Sequence, residues 1–135
     1  MDSVLAQTHA DWELLVLDDG SDDGTAEYLA ALVREDPRVR TVALPHTGNL
    51  ARLRNEGIAR ARGRWVAFLD SDDAWREDKL ERQLAALRAS PRARWSYTGR
   101  SLMDECGAPI PDARCRPWHP YEGWIARRLL VHEAM

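Results

Sequence analysis

Two short runs of carboxylates hold most of the chemical potential of this 135-residue chain. The first is Asp18-Asp19-Gly20-Ser21-Asp22-Asp23-Gly24-Thr25 and the second is Asp70-Ser71-Asp72-Asp73. Gly20 and Gly24 permit positive φ and a close approach of backbone. An Asp carboxylate beside them can accept two donors, such as those of a base edge or a ribose. The same residue types also serve as ordinary helix caps, and from this run alone both readings stand. In the second run, three carboxylates within four residues repel one another, a penalty that a divalent cation removes. Mg²⁺ or Mn²⁺ prefers oxygen ligands and commonly takes only one or two protein carboxylates plus phosphate oxygens. An Asp-x-Asp at a strand end therefore suits a metal–diphosphate site, where the ion offsets charge building on a departing diphosphate. In isolation the pattern is weak, since acidic loops contain it by chance and it can equally cap the helix that follows.

The elements that must position these runs are legible as alternating apolar periods. Glu13-Leu14-Leu15-Val16-Leu17 is a short apolar run closed by Asp18-Asp19-Gly20, which predicts a buried strand ending in a turn. Thr25 to Arg34 places Ala26, Leu29, Ala30 and Val33 at a helical period, with Ser21, Asp22 and Asp23 as capping types before it. Asp36-Pro37 stops that helix, because the residue before proline is pushed out of the α region. Val39 to Leu44 alternates and is β-branched, a second strand. Asn49 to Arg62 predicts a helix with Gly63 as its C-cap glycine. Trp65 to Leu69 predicts a third strand, running into Asp70. Glu77 to Ala89 predicts a helix ended by Ser90-Pro91, and Arg94 to Thr98 a fourth strand. From Gly99 to Pro120, four prolines and Gly107 leave no regular period, and Tyr121 to His132 predicts a last helix. Strands and helices in this order imply an α/β fold with a mostly parallel sheet, whose ligands bind at the carboxyl ends of the strands. Both acidic runs fall at such ends.

Composition narrows the class. Charged residues make up 30% and hydrophobic residues 44% of the chain, with a formal net charge of -3. That is an ordinary globular balance for one domain, with no basic footprint for nucleic acid. The apolar runs are too short to span a bilayer, so no transmembrane segment is expected. No signal peptide is expected either. Cys106 and Cys115 are the only cysteines and match no zinc spacing, so a reducing, cytoplasmic setting is expected. Nothing in the sequence speaks against self-association into a homo-oligomer.

Taken together the segments are more specific than either acidic run. Ser3-Val4-Leu5-Ala6-Gln7-Thr8, Trp12-Glu13-Leu14-Leu15-Val16 and the Asp18–Thr25 run resemble the opening of family 2 glycosyltransferases. Arg54-Asn55-Glu56-Gly57-Ile58-Ala59 resembles that family's A-R-N-x-G-I helix. Gly63-Arg64-Trp65-Val66-Ala67-Phe68-Leu69-Asp70-Ser71-Asp72-Asp73 resembles its strand ending in D-x-D-D, and Asp78-Lys79-Leu80-Glu81 the D-K-L-E beyond it. The similarity runs over residues 3 to 98 and fades afterwards.

The resemblance implies a GT-A fold, a Rossmann-like, mostly parallel sheet flanked by helices. It also implies a nucleotide-diphosphate-sugar donor, a divalent metal (Mg or Mn) and transfer with inversion to an unspecified acceptor. Asp19 matches the Asp that reads the nucleotide base. Asp70 matches the first Asp of the D-x-D, near the ribose, and Asp72 its second, which contacts the metal. Nucleotide binding is thereby expected of Asp19, Asp70 and Ser71, and metal binding of Asp72 and Asp70. Asp18 and Asp73 are supporting residues, and Arg54 and Asn55 are expected to act structurally from behind the site. No residue is assigned as the catalytic base: Asp104 and Glu105 come too early, and His119 and His132 have no support. The resemblance further implies that residues 1–135 form a partial domain. The family's first strand, which lies between Glu13–Leu17 and Trp65–Leu69, and its acceptor region with the base would both be lacking. Weak or no transfer by this chain alone is the corresponding expectation. Three other readings remain on the sequence. A haloacid-dehalogenase-like phosphatase would need Thr or Val where Ala74 stands. A signalling receiver would need a Lys at a later strand end, whereas the only Lys is Lys79. A non-catalytic nucleotide-binding remnant would have decayed acidic runs, and these are intact.

Overall fold

Residues 1–110 are described by the computed structural model. The chain divides into two compact units, Met1–Pro91 and Arg92–Met135. The first unit is built on two parallel strands, β1 (Leu14–Asp18) and β2 (Val39–Ala43). They pair in register from Leu14 opposite Val39 to Asp18 opposite Ala43. A parallel pair needs a crossover, and α2 (Thr25–Glu35) supplies it. Leu29 and Leu32 of α2 are buried against β2, whose Val39 is the most buried side chain of the unit. The predicted stop holds: Asp36, before Pro37, is extended at φ -131°. The start differs, since Gly24 is the N-cap at φ +85°. Asp23 instead folds back onto the Thr25 N–H and hydroxyl.

Helix α3 (Leu50–Arg60) lies on β1 and begins as predicted, with the Asn49 side chain accepting from the Arg52 N–H at 3.0 Å. Gly57 lets it approach closely, since a Cβ there would stand 3.0 Å from Leu17 Cδ1. The helix ends at Arg60, before the expected glycine cap. Glu13 accepts the Arg62 N–H and draws the chain off the helical path, so a tertiary hydrogen bond and not Gly63 sets the terminus. The same carboxylate pairs with Arg40 at 2.8 Å, tying the start of β1 to β2.

Two predicted strands are absent. Trp65–Leu69 and Arg94–Thr98 carry no ladder, and Val66 and Phe68 are 44% and 50% exposed. A strand is stabilised by cross-strand partners as much as by its own residues, and among the described residues no strand ladder runs along either segment. β1 is half-buried along its length, not fully buried as its composition suggests. The sheet is therefore a parallel pair, in keeping with the α/β class but smaller than expected. In the second unit, β3 (Leu102–Met103) and β4 (Pro109–Ile110) form a short antiparallel hairpin. The predicted helix from Tyr121 to His132 lies outside the described residues. No helix among the described residues is long and apolar enough to cross a membrane.

The short α1 (Asp2–Leu5) and α4 (Lys79–Ala89) are joined by Gln7. Its amide is buried; Nε2 donates to the carbonyls of Ser3 at 2.9 Å and Arg76 at 2.6 Å, and Oε1 accepts the Leu80 N–H at 3.0 Å. Removing a buried partner leaves its mates unsatisfied, at about 1–3 kcal/mol. Gln7→Leu, similar in bulk, is therefore expected to lower the unfolding free energy by about 2 kcal/mol in urea titrations. An unchanged midpoint would show that the amide contributes nothing net.

Candidate functional site

The first acidic run begins at the end of β1, whereas the second follows Leu69 in a segment that is not a strand, and their carboxylates are not equally available. Asp19 follows β1 directly, and its side chain is only 17% exposed. Its Oδ1 accepts the Thr47 N–H at 3.0 Å and the Thr47 hydroxyl at 3.1 Å, and its Oδ2 accepts the Gly48 N–H at 2.7 Å. The carbonyl of Asp19 accepts from His46 Nδ1 at 2.8 Å. Gly20 lies against the same loop: a Cβ there would stand 2.8 Å from the His46 nitrogen, and its φ is +79°. The loop after β2 is thus seated on the two residues after β1. Partial burial pushes the Asp19 pKa up. The Gly48 and Thr47 N–H groups, the Thr47 hydroxyl and the nearby His46 outweigh it and hold the carboxyl below its ordinary value.

Asp18 closes its own turn by accepting from the Ser21 N–H and hydroxyl. Asp70 begins the second run and pairs with Arg54 of α3, NH2 to Oδ1 at 3.1 Å. The Arg54 guanidinium also stands 5.5 Å over the Phe68 ring. This partnership gives a specific content to the expectation that Arg54 acts structurally. Ser71 and Asp72 occupy the turn itself, closed by the Asp73 N–H donating to the Asp70 carbonyl at 3.1 Å. Asp70, Ser71, Asp72 and Asp73 are all exposed. The donor set consists of hard oxygens, which suit Mg²⁺ or Mn²⁺, and one or two carboxylates suffice beside phosphate oxygens. Among the described residues no group of three His, Cys, Asp or Glu side chains forms a closed cage. The residues therefore fit an open, ligand-completed metal site and not a protein-only one.

Helix α3 joins the two runs. Its N-cap Asn49 follows Gly48, which is bonded to Asp19, and one turn into the helix Arg54 reaches Asp70. No local signal marks the His46–Gly48 seat or this bridge, because their partners lie 27 to 29 and 16 residues apart. Lys79 was equally hidden. Its ammonium lies 3.5 Å over the Trp75 ring, and burial pushes its pKa down to about 8. Trp75 lines an open cleft with Thr8, Arg76, Glu77 and Asp78. In the second unit, Asp104 accepts the N–H groups of Cys106 and Ala108 at 2.9 and 2.8 Å and so caps the hairpin turn. His119 and His132 lie outside the described residues.

Two outcomes follow from this geometry. Glu13, Asp19, Asp23, Asp36 and Asp78 all titrate below their ordinary values. A depressed native pKa means that the unfolded chain takes up protons first on acidification. The stabilisation is thus complete above about pH 5 and is lost as pH falls through the native values. Thermal melts by circular dichroism should show a steady fall below about pH 4, and a flat profile there would contradict these contacts. Separately, Arg54→Met removes a half-exposed ion pair and should change the unfolding free energy by less than about 1 kcal/mol. Amide exchange at residues 70–73 should nevertheless accelerate, as the turn loses its tie to α3. Unchanged exchange would mean that Arg54 does not hold the turn.

Comparison with known proteins gives this geometry a lineage. The family model described as glycosyl transferase family 2 matches residues 1–96. The chain is 45% identical over 108 residues to the putative teichuronic acid biosynthesis glycosyltransferase TuaG of Bacillus subtilis, covering 80% of this chain and 42% of that protein. It is 46% identical over 90 residues to the succinoglycan biosynthesis protein ExoO of Rhizobium meliloti, covering 67% and 25%. A third relative, from Escherichia coli, is named UDP-Glc:alpha-D-GlcNAc-diphosphoundecaprenol beta-1,3-glucosyltransferase WfgD. It is 44% identical over 85 residues, covering 63% and 33%. The chain spans less than half the length of these curated relatives. With well over half of its residues matched by the family model, the chain belongs to glycosyl transferase family 2.

Proposed function

We propose that this chain binds the donor in an inverting glycosyl transfer, in which a sugar passes from a nucleotide diphosphate to an acceptor hydroxyl. The observation that carries the reading is the bridge made by α3. It ties the Asp19 end of β1 to the Asp70-Ser71-Asp72-Asp73 turn, the two runs that the family resemblance assigns to nucleotide and metal. Binding at the carboxyl ends of parallel strands is the general habit of α/β sheets. In this reading the nucleoside lies against the Asp19 loop, and Asp70 and Ser71 meet the ribose. Asp72, with Asp70, would hold Mg²⁺ or Mn²⁺. When bound, that cation would neutralise charge on the departing diphosphate.

The transfer forms a bond from the acceptor oxygen to the anomeric carbon and breaks the bond from that carbon to the diphosphate oxygen, on the opposite face. The acceptor proton goes to a general base, a contribution of about 10²–10⁴-fold, and no residue of this chain is assigned that role. The protein's own part is to orient the donor. Arg54 steadies Asp70 and the His46–Gly48 loop steadies the base-binding end. A cytoplasmic setting belongs to the proposal, supported by the presence of only two cysteines, too few for a disulfide framework.

Isothermal titration of the chain with UDP-sugars and other nucleotide sugars in Mn²⁺ tests the reading. Donor binding is expected, weakened by chelation and by Asp72→Asn about 10-fold or more, in line with changes at metal sites. Absence of donor binding under all metal conditions would overturn it.

A further inference from the structure

Lysine occurs once in the chain, at Lys79, among 19 Lys and Arg residues. An arginine stays charged throughout the physiological range, whereas a lysine can lose its proton when buried. Lys79 opens α4 and is half-buried. Its ammonium rests on an aromatic face, 3.5 Å over the Trp75 ring. Carboxylates stand beside it in the chain, but their contacts go elsewhere. Asp78 takes Arg76 at 3.1 Å and Arg82 at 3.4 Å, and Glu81 accepts the Thr8 hydroxyl at 2.8 Å. Glu77 accepts the Thr8 N–H at its main-chain carbonyl, 2.9 Å away. From the α1 side, Gln7 and Thr8 reach this segment, and neither is charged. No ion pair among the described residues engages Lys79.

An ammonium taken out of water without an anion beside it is driven toward its neutral form. The indole face works against this by favouring the cation, but it supplies no negative charge. Burial pushes the Lys79 pKa down to about 8. Access comes from the open cleft lined by Trp75, Thr8, Arg76, Glu77 and Asp78. The ring that supports the amine is thus also a wall of that cleft, and an electrophile that enters meets the ring on which the amine rests.

We propose that Lys79 is a modification site, an amine that accepts acyl groups from small activated donors, acyl phosphates or thioesters, entering by the Trp75 cleft. The Nζ lone pair attacks the carbonyl carbon and forms an amide bond. The bond from that carbon to the phosphate oxygen or thiol sulfur breaks, and the leaving group departs with the electron pair. The proton displaced from nitrogen goes to water. The amide carries no charge, so acylation removes the ammonium–ring contact. The proposal uses none of the residues of the donor-site reading, and either can fail without the other.

The test incubates the folded chain with acetyl phosphate and, separately, with acetyl-coenzyme A, with Nα-acetyllysine in the same solution as reference. Mass spectrometry of proteolytic peptides follows Lys79 apart from the Met1 amine. Near neutral pH, Lys79 should react at least about tenfold faster than the reference. Its lowered pKa raises the neutral fraction roughly a hundredfold, and lower basicity and hindrance take back part of that gain. Its rate should level off as pH rises through about 8, whereas the reference rate goes on rising toward the ordinary lysine pKa. The advantage should disappear in denaturing urea. Trp75→Ala, shown by circular dichroism to be folded, should lose most of it as the amine regains water. Acceleration with either donor supports the proposal and identifies the leaving group that the cleft admits. A Lys79 rate no greater than that of the reference in the folded chain overturns the proposal. So does an advantage that survives urea or persists in folded Trp75→Ala.

Discussion

The seating of the His46–Gly48 loop on Asp19 is the constraint from which the rest of the first unit takes its geometry. Parallel pairing brings Asp18 opposite Ala43, so both strands finish side by side and two segments of the chain must turn away together. Their backbone groups then need partners. The Leu44 N–H continues the ladder to the Asp18 carbonyl at 2.8 Å, and one residue later Asp19 takes over with its side chain. Gly20 is required at that point because a side chain would collide with the His46 backbone. Once Thr47 and Gly48 are fixed, Asn49 is placed to cap α3, and α3 carries Arg54 to Asp70. A local charge–dipole contact is thereby transmitted to a second acidic run 51 residues further along the chain.

That sequence of dependence explains what the amino-acid order could and could not reveal. β1, α2, β2, α3 and α4 were legible because each combines an apolar period with a local stop, such as Asp36 before Pro37. Trp65–Leu69 has the composition of a strand, but a ladder is a property of two segments, and among the described residues no strand ladder runs along it. The end of α3 departs from its local signal for a related reason. Gly63 is a sound local terminator, yet Glu13, 49 residues away, captures the Arg62 N–H first. Asp19, Asp70 and Asp72 stand out as candidates in short motifs. Their partners do not, since no spacing rule connects Asp19 to Gly48 or Arg54 to Asp70.

The carboxylates illustrate how acidic clusters overstate the number of ligand-binding groups. Asp18, Asp19 and Asp23, all within the first run, accept from nearby N–H and hydroxyl groups and are committed to turns and loops. Asp78 is held by Arg76 and Arg82, and Glu13 by Arg40 and Arg62. A carboxylate that already satisfies several donors would have to abandon them to coordinate an ion, leaving those donors unpaired at a cost of about 1–3 kcal/mol each where they are buried. Asp72 and Asp73 carry no such obligation: both are exposed, and no ion pair among the described residues engages them. Asp70 stands between the two classes. One guanidinium contact on a half-exposed side chain orients it but leaves oxygen lone pairs toward solvent. The division assigns orientation to the first run and to Arg54. In the proposed reading, open coordination would fall to the turn at Asp70–Asp73, where substrate oxygens would complete what the protein leaves unfilled.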